Sequence, residues 1–137
     1  METNIKAVWQ GSFKQGSGQL DIENSKLNNI AFKPSYAKND GSFSNPEELL
    51  ASAHASCYTM TLAYILGENG LAPDTIETSI SLVISNNVIS NSNLKLQAKI
   101  PGITEEQFQI FANKAKEMCP VGNALKIEIS LVAILIK

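Results

Sequence analysis

Two cysteines are the residues of this chain with the greatest capacity for chemistry. Cys57 lies within a segment whose pattern predicts a helix, and Cys119 stands at the end of another, directly before Pro120. A thiolate is a strong nucleophile, and its sulfenic acid can be trapped by a second thiol as a disulfide. A cysteine on an apolar helix face is also commonly a small buried hydrophobe. Residue types alone therefore leave redox chemistry and core packing both open.

Few other residues offer partners for such chemistry. His54, the single histidine, lies one helical turn before Cys57 and is a candidate either for activating the thiol or for an ordinary hydrogen bond. Two cysteines and one histidine fall short of the four ligands of a structural zinc site, and the sequence has no CxxC motif. It also has no phosphate-binding glycine loop and no GxSxG motif. We expect neither a metal nor another cofactor.

The composition predicts one globular domain that spans residues 1–137. Apolar residues make up 44% of the chain and the formal net charge is −2, so the basic surface typical of nucleic-acid binding is not expected. The opening METNIKAVWQ lacks the apolar core of a secretion signal, and the longest apolar run, residues 131–136, is too short to span a bilayer. We expect a cytoplasmic protein without nucleic-acid or membrane partners.

The first half of the chain predicts a β-meander and then a long helix. Residues 4–33 have the alternation and turn residues of short strands. Asn45 is a good N-cap, Pro46 suits the first helical position, and Glu48 follows three residues after the cap. Gly67 and Gly70 mark the end of this helix, and Pro73 prevents its continuation. One largely apolar face of it consists of Leu49, Leu50, Ala53, Cys57, Met60, Thr61 and Tyr64.

The second half predicts two strands, a helix and a closing strand. Residues 76–84 and 94–100 alternate, and the polar stretch between them predicts a hairpin-like turn. A capping box at Thr104 opens a helix that ends near Met118, and residues 126–136 form the last strand. The predicted fold class is α+β, with an antiparallel sheet around two central helices.

Two segments around the cysteines resemble those of one protein family. NPEELLASAHASCYTM resembles the central-helix signature of the OsmC/Ohr family of osmotically inducible and organic-hydroperoxide-resistance proteins, and MCPVGNAL resembles its second-cysteine motif. AVWQGSFKQGSGQL and LGENGLAPDTIET resemble the OsmC branch in particular. The resemblance covers essentially the whole chain. It implies an OsmC-like fold that assembles as an intertwined homodimer.

The resemblance also implies an activity and the residues that carry it. It implies a stress-response peroxidase that depends on thiols and reduces organic hydroperoxides, and hydrogen peroxide less well. Cys57 matches the peroxidatic cysteine, Cys119 matches the resolving cysteine that forms a disulfide with it, and Glu47 matches the active-site glutamate. The reductant that the resemblance suggests is a lipoyl-type dithiol.

The surroundings of Cys57 bear on the choice of peroxide. Leu50, Met60 and Tyr64 are candidates for an apolar wall around the thiol. Such a wall would favour alkyl hydroperoxides over hydrogen peroxide, because apolar surface is more favourably removed from water.

An arginine that the family uses beside the thiolate is missing. An ungapped alignment from Trp9 to Asn45 places its position at Ala37, and all eleven cations of the chain are lysines. The adjacent Lys38 can supply a charge but not the planar fork of a guanidinium. This departure favours an alternative function, a slow-turnover redox sensor or binding protein with the OsmC fold. A third reading is a small-ligand carrier with inert cysteines.

The spacing of Glu47 and Cys57 predicts a shared site. The two residues are ten positions apart on one predicted helix, which is about 15 Å along its axis. They cannot meet within a straight helix. Two copies of the helix packed antiparallel across a two-fold axis would bring Glu47 of one chain near Cys57 of the other. We therefore expect a homodimer in which each active site needs both subunits.

Overall fold

The computed structural model of the protein describes residues 2–22 and 25–137. Glu23 and Asn24 fall within the segment 4–33 that predicts strands and turns, and for these two residues the prediction lies outside the described residues. The chain divides into two compact units, which are described separately below.

The first unit, which ends at Leu49, contains an antiparallel three-stranded sheet. Its strands β1 (Lys6–Gln10), β2 (Ser17–Asp21) and β3 (Ile30–Phe32) pair in chain order. This arrangement is the β-meander that the turn-rich sequence predicts. The extended backbone of the strands follows from alternating side chains, and the intervening turns carry the glycine and polar residues.

Helix α1 runs from Pro46 to Glu68 and begins at the N-cap that the sequence predicts. The side chain of Asn45 accepts a hydrogen bond of 2.8 Å from the backbone N–H of Glu48. Gly70 adopts a left-handed φ of +71° just beyond the helix, a conformation typical of helix ends. The caps therefore fix a continuous helix of 23 residues.

The second unit contains a sheet of order β4-β5-β6, and its first two strands form a hairpin. Strands β4 (Thr75–Ser85) and β5 (Val88–Lys99) pair antiparallel around a two-residue turn. Asn86 and Asn87 both have positive φ, 53° and 62°, as a tight hairpin turn of this kind requires. The strands are longer than predicted, because most of the polar stretch between residues 85 and 93 pairs in the ladder.

The prediction of a wholly antiparallel sheet is wrong for the last strand. Strand β6 (Glu128–Leu135) pairs parallel to β5, with Leu131 opposite Leu94. Helices α2 (Glu105–Met118) and α3 (Pro120–Ala124) lie between these two strands in the chain and provide the long connection that a parallel pair needs. Alternation along a strand shows which side chains share a face but carries no information about strand direction.

The junction of α2 and α3 is built from successive caps. The capping box at Thr104 is present, since its hydroxyl accepts a 3.2 Å hydrogen bond from the Gln107 N–H. Cys119 is both the C-cap of α2 and the N-cap of α3, and its sulfur accepts a hydrogen bond of 3.5 Å from the Gly122 N–H. Pro120 ends α2 as predicted, but it also occupies the first turn of α3, a short helix that the sequence analysis missed.

One face of α1 packs with α2 and β5 to form the core of the second unit. The phenol of Tyr58 is fully buried and donates a 2.9 Å hydrogen bond to the Ala112 carbonyl of α2. The fully or nearly fully buried apolar residues of this core are Tyr58, Leu62, Ile65, Leu66, Leu94, Leu96, Ala98, Ile100, Phe108, Ala112, Ala115 and Cys119. This packing sets the rotation of α1 and thereby the side on which Cys57 emerges.

A polar pair is buried beside these apolar residues. His54 is 1% exposed and Ser92 is fully buried, and the imidazole Nδ1 lies 2.8 Å from the serine Oγ. Burial lowers the pKa of His54, because the imidazolium form would lose its hydration. The ring is therefore neutral at pH 7.

The lowered pKa of His54 predicts a loss of stability in acid. The unfolded chain takes up a proton near the ordinary histidine pKa of 6.5, whereas the folded chain does so only at lower pH. Stability is therefore fully present above pH 6.5 and is lost as the pH falls from there through the lower folded-state pKa. Urea unfolding at pH 7 and pH 5 measures this loss. It should be larger in the wild type than in His54→Asn, by at most about 1.4 kcal/mol per pH unit.

The His54→Asn variant is a matched control because its amide still offers a hydrogen bond to Ser92 but does not titrate. Other groups contribute equally to both proteins. If the free energy of unfolding depends on pH identically in the two proteins, the loss of stability in acid does not come from His54.

Candidate functional site

The two cysteine side chains lie together at the margin of the core of the second unit. Cys57 projects from α1 and is half-buried, whereas Cys119 is fully buried at the junction of α2 and α3. Both thiols are free. Cys57 packs against the buried cluster that includes Cys119, and the two thiols are near enough for Cys57 to raise the pKa of Cys119. The fold thus pairs two thiols that are far apart in the sequence.

The environments of the two sulfurs differ. Burial raises the pKa of the Cys119 thiol, and the hydrogen bond from the Gly122 N–H opposes this rise. The neighbouring Cys57 raises the Cys119 pKa further. Cys119 is therefore a protonated thiol at neutral pH, and it is shielded from solvent. A reagent that arrives from solution meets Cys57 first.

An open, mainly apolar groove leads to Cys57 at the surface of the second unit. Met60 and Tyr64 lie along it and are 72% and 60% exposed. The lining residues are Ala53, Ser56, Cys57, Met60, Thr61, Tyr64, Met118, Pro120 and Val121. Met60 and Tyr64 are thus placed as the predicted apolar wall requires, while Leu50 is not among the lining residues. The groove has the character of a site for the alkyl or aryl part of a small molecule.

Glu47 stands in the first turn of α1. One of its carboxylate oxygens, Oε2, is buried and has no hydrogen-bond partner among the described residues. Because α1 is continuous, the ten positions between Glu47 and Cys57 correspond to about 15 Å along the axis. A single copy of α1 therefore does not bring these two residues together.

Two further candidates have different surroundings from Cys57. Lys38 is exposed in the segment before α1, next to the half-buried Ala37. His54 is directed into the core, where it contacts Ser92, and it is not among the residues that line the groove. Across residues 2–22 and 25–137, no group of three or more His, Cys, Asp or Glu side chains is arranged to hold a metal ion.

The sequence analysis missed two residues that lie against His54. Ser92 is the hydrogen-bond partner of His54 but lies 38 positions away, so no local pattern connects them. Gly122 belongs to the motif MCPVGNAL, and its lack of a side chain leaves room for the imidazole of His54. The available signal was a glycine two residues after Pro120, since a bare backbone often marks a close approach.

The sequence is similar to those of known proteins of one family. The family model described as OsmC-like protein matches residues 39–132. The chain is 37% identical to Peroxiredoxin OsmC of Escherichia coli over 132 residues, which covers 92% of this chain and 91% of that protein. It is 25% identical to Organic hydroperoxide resistance protein-like 2 of Staphylococcus saprophyticus, with 80% and 79% of the two chains covered.

Solved structures share the fold. The crystal structure of an OsmC-like protein from Mycoplasma pneumoniae superposes with a TM-score of 0.81 at 17% identity, over 100% of this chain and 99% of that one. At this identity the likeness concerns the mixed α+β fold alone. Together with the family match and the 37% identity, it establishes that this chain belongs to the OsmC-like family.

Proposed function

We propose that this protein is a thiol-dependent peroxidase that reduces organic hydroperoxides, and hydrogen peroxide less well, through Cys57 and Cys119. The observation that carries the proposal is the pairing of a half-buried thiol at an apolar groove with a fully buried second thiol. The names of two relatives, peroxiredoxin and organic hydroperoxide resistance protein-like, support the same chemistry.

The first step is the reduction of the peroxide by Cys57. The Cys57 thiolate attacks the terminal oxygen of the hydroperoxide, an S–O bond forms and the O–O bond breaks, and the other oxygen leaves as an alcohol after taking up the proton that the thiol gave up. The product on the protein is a sulfenic acid. Met60 and Tyr64 of the groove contact the organic part of the peroxide and orient its O–O bond toward the sulfur. Hydrogen peroxide has no organic part and gains nothing from this contact.

The second step is the formation of a disulfide. The Cys119 thiol condenses with the sulfenic acid of Cys57, so that an S–S bond forms, the S–O bond breaks and water leaves. Burial protects Cys119 from direct oxidation. A dithiol reductant, of the lipoyl type, then returns both cysteines to thiols by exchange and is itself oxidised to a disulfide.

The working form in this proposal is a homodimer. The groove along Met60 and Tyr64 is open on its outer side, and a second copy of the helix lying over it would close it around the organic part of the peroxide. Helix α1 is long enough and apolar enough, with a mean hydropathy of 1.2, to cross a membrane. Core helices of soluble proteins share this length and hydropathy, so the two properties alone do not place α1 in a membrane. A second copy also accounts for the unpartnered oxygen of Glu47, which would approach Cys57 of the other subunit.

A specific observation favours a second candidate function, a slow-turnover redox sensor or binding protein. The chain has no arginine, and the position that the family fills with one is Ala37. Lys38 remains our candidate for the missing charge, although an ammonium lacks the bidentate geometry of a guanidinium. The peroxidase and the redox sensor both begin with oxidation of Cys57. They differ in the number of peroxide molecules that each chain consumes when a dithiol is supplied, many for a peroxidase and few for a sensor.

Replacing each cysteine separates the two chemical steps. Cys57→Ser should abolish peroxide consumption, because the buried Cys119 does not meet the peroxide. Cys119→Ser should react once and then stop, with Cys57 accumulating as sulfenic and then sulfinic acid. Intact-mass spectrometry after addition of an organic hydroperoxide measures both results, as a gain of one or two oxygens. Full turnover by Cys57→Ser would refute the assignment.

Mixing two inactive variants tests the shared site of the homodimer. If Glu47 of one chain serves Cys57 of the other, a heterodimer of Glu47→Gln and Cys57→Ser chains contains one site with both native residues. Random pairing of equal amounts should then recover about a quarter of the wild-type peroxidase activity. Each variant mixed with itself is the control. No recovery in a mixture that contains heterodimers, or full activity of a monomer on a sizing column, would contradict the proposal.

A further inference from the structure

The imidazole of His54 occupies the space between a strand and the turn that carries Cys119. Its Nδ1 lies 2.8 Å from Ser92 Oγ of β5. On the other side, a Cβ atom at Gly122 would lie 3.1 Å from the imidazole Nε2 and 3.6 Å from the Cβ of Cys119. The ring therefore lies directly against the backbone of the α3 turn.

The same turn holds the sulfur of Cys119. The Gly122 N–H donates to Cys119 Sγ at 3.5 Å, and α3 has only five residues, from Pro120 to Ala124. A helix this short has little stability of its own and depends on its neighbours. His54 is one such neighbour. Ile129 is another, since its Cδ1 would lie 3.5 Å from a Cβ atom at Gly122.

Packing alone does not explain a polar pair at this position. Burial of an imidazole and a hydroxyl costs free energy, which their mutual hydrogen bond only offsets. Apolar side chains of similar size would fill the space without that cost. What the hydrogen bond adds is a fixed orientation of the ring, and His54 lies on α1 one turn before Cys57.

We propose that the His54–Ser92 pair positions the resolving thiol: Ser92 fixes the ring of His54, the ring holds the Gly122 turn, and the turn holds Cys119 against Cys57. His54 is thus a positioning residue for the second chemical step and has no part in the attack on the peroxide. This inference rests on the proposed function, in which Cys119 resolves an oxidised Cys57.

The step that this pair assists competes with a damaging one. In resolution, the Cys119 thiol forms the S–S bond, the S–O bond of the Cys57 sulfenic acid breaks, and the hydroxyl leaves with the thiol proton as water. In the competing step, a second peroxide molecule oxidises the sulfenic acid to a sulfinic acid and leaves as an alcohol. A poorly placed Cys119 therefore shifts the product from disulfide to sulfinic acid.

The test separates positioning from peroxide chemistry by using an aromatic disulfide, 5,5′-dithiobis(2-nitrobenzoate). Cys57 attacks it and releases one coloured thiolate, and Cys119 then attacks the resulting mixed disulfide and releases a second. Stopped-flow absorbance resolves the two phases. In Ser92→Ala the first phase should keep its wild-type rate, and the second should slow about fivefold, the effect expected from losing one ordinary hydrogen bond.

Ser90→Ala is the matched control, because Ser90 is an exposed serine on the same strand β5. It should leave both phases unchanged. Unfolded chains expose both thiols and would react in a separate phase, so the two rates are taken from the phases that the wild type also shows. A second phase at the wild-type rate in Ser92→Ala, or an equal slowing of both phases, would overturn the inference.

A peroxide arm distinguishes this inference from the proposed function. Intact-mass spectrometry after increasing amounts of cumene hydroperoxide gives the ratio of sulfinic acid to disulfide. The ratio should rise about fivefold in Ser92→Ala and stay at the wild-type value in Ser90→Ala. An unreactive wild-type Cys57 would refute the peroxidase function alone, since the aromatic-disulfide phases would still decide the positioning role.

Discussion

The burial of one face of α1 is the constraint on which the site depends. Tyr58 and Leu62 are fully buried, and Tyr58 is tied to α2 through its hydrogen bond to Ala112. With 3.6 residues per turn, a helix fixed by these positions must present Cys57 at the margin of the core and Met60 to the outside. The same fixed rotation places His54 inside. The accessibility of the first thiol and the burial of the polar pair are therefore consequences of one packing arrangement.

The asymmetry of the two thiols follows from where their elements meet. Cys57 belongs to a long, well-capped helix, and Cys119 belongs to a junction between helices whose caps it supplies. Burial keeps Cys119 protonated and protected, so in the proposed mechanism its chemistry begins only after its neighbour has been oxidised. Ordering two thiols in this way requires no cofactor. It requires a rigid core on one side of the pair and an accessible apolar groove on the other.

Local signals predicted the elements well and their three-dimensional relations poorly. Caps at Asn45 and Thr104 have short-range physical causes, so the starts of α1 and α2 were correct. The parallel direction of β6 depends on the connection before it, which alternation does not encode. Helix α1 carries apolar residues on several sides. The sequence pattern therefore identified one apolar face, but it did not show that Met60 and Tyr64 on that face stay exposed in a single chain. Ser92, the hydrogen-bond partner of His54, lies 38 positions away on β5, so no local sequence pattern predicts the contact.

The central claim is that Cys57 reduces peroxides whose organic part occupies the apolar groove. Steady-state turnover with a dithiol, compared between cumene hydroperoxide and hydrogen peroxide, tests it most directly. We predict sustained turnover with both peroxides and a kcat/KM that is at least about tenfold higher for cumene hydroperoxide. Removing its aromatic ring from water stabilises the bound state by about 1.4 kcal/mol or more, which corresponds to this ratio. Equal or lower kcat/KM for cumene hydroperoxide, or no turnover with either peroxide, would contradict the account.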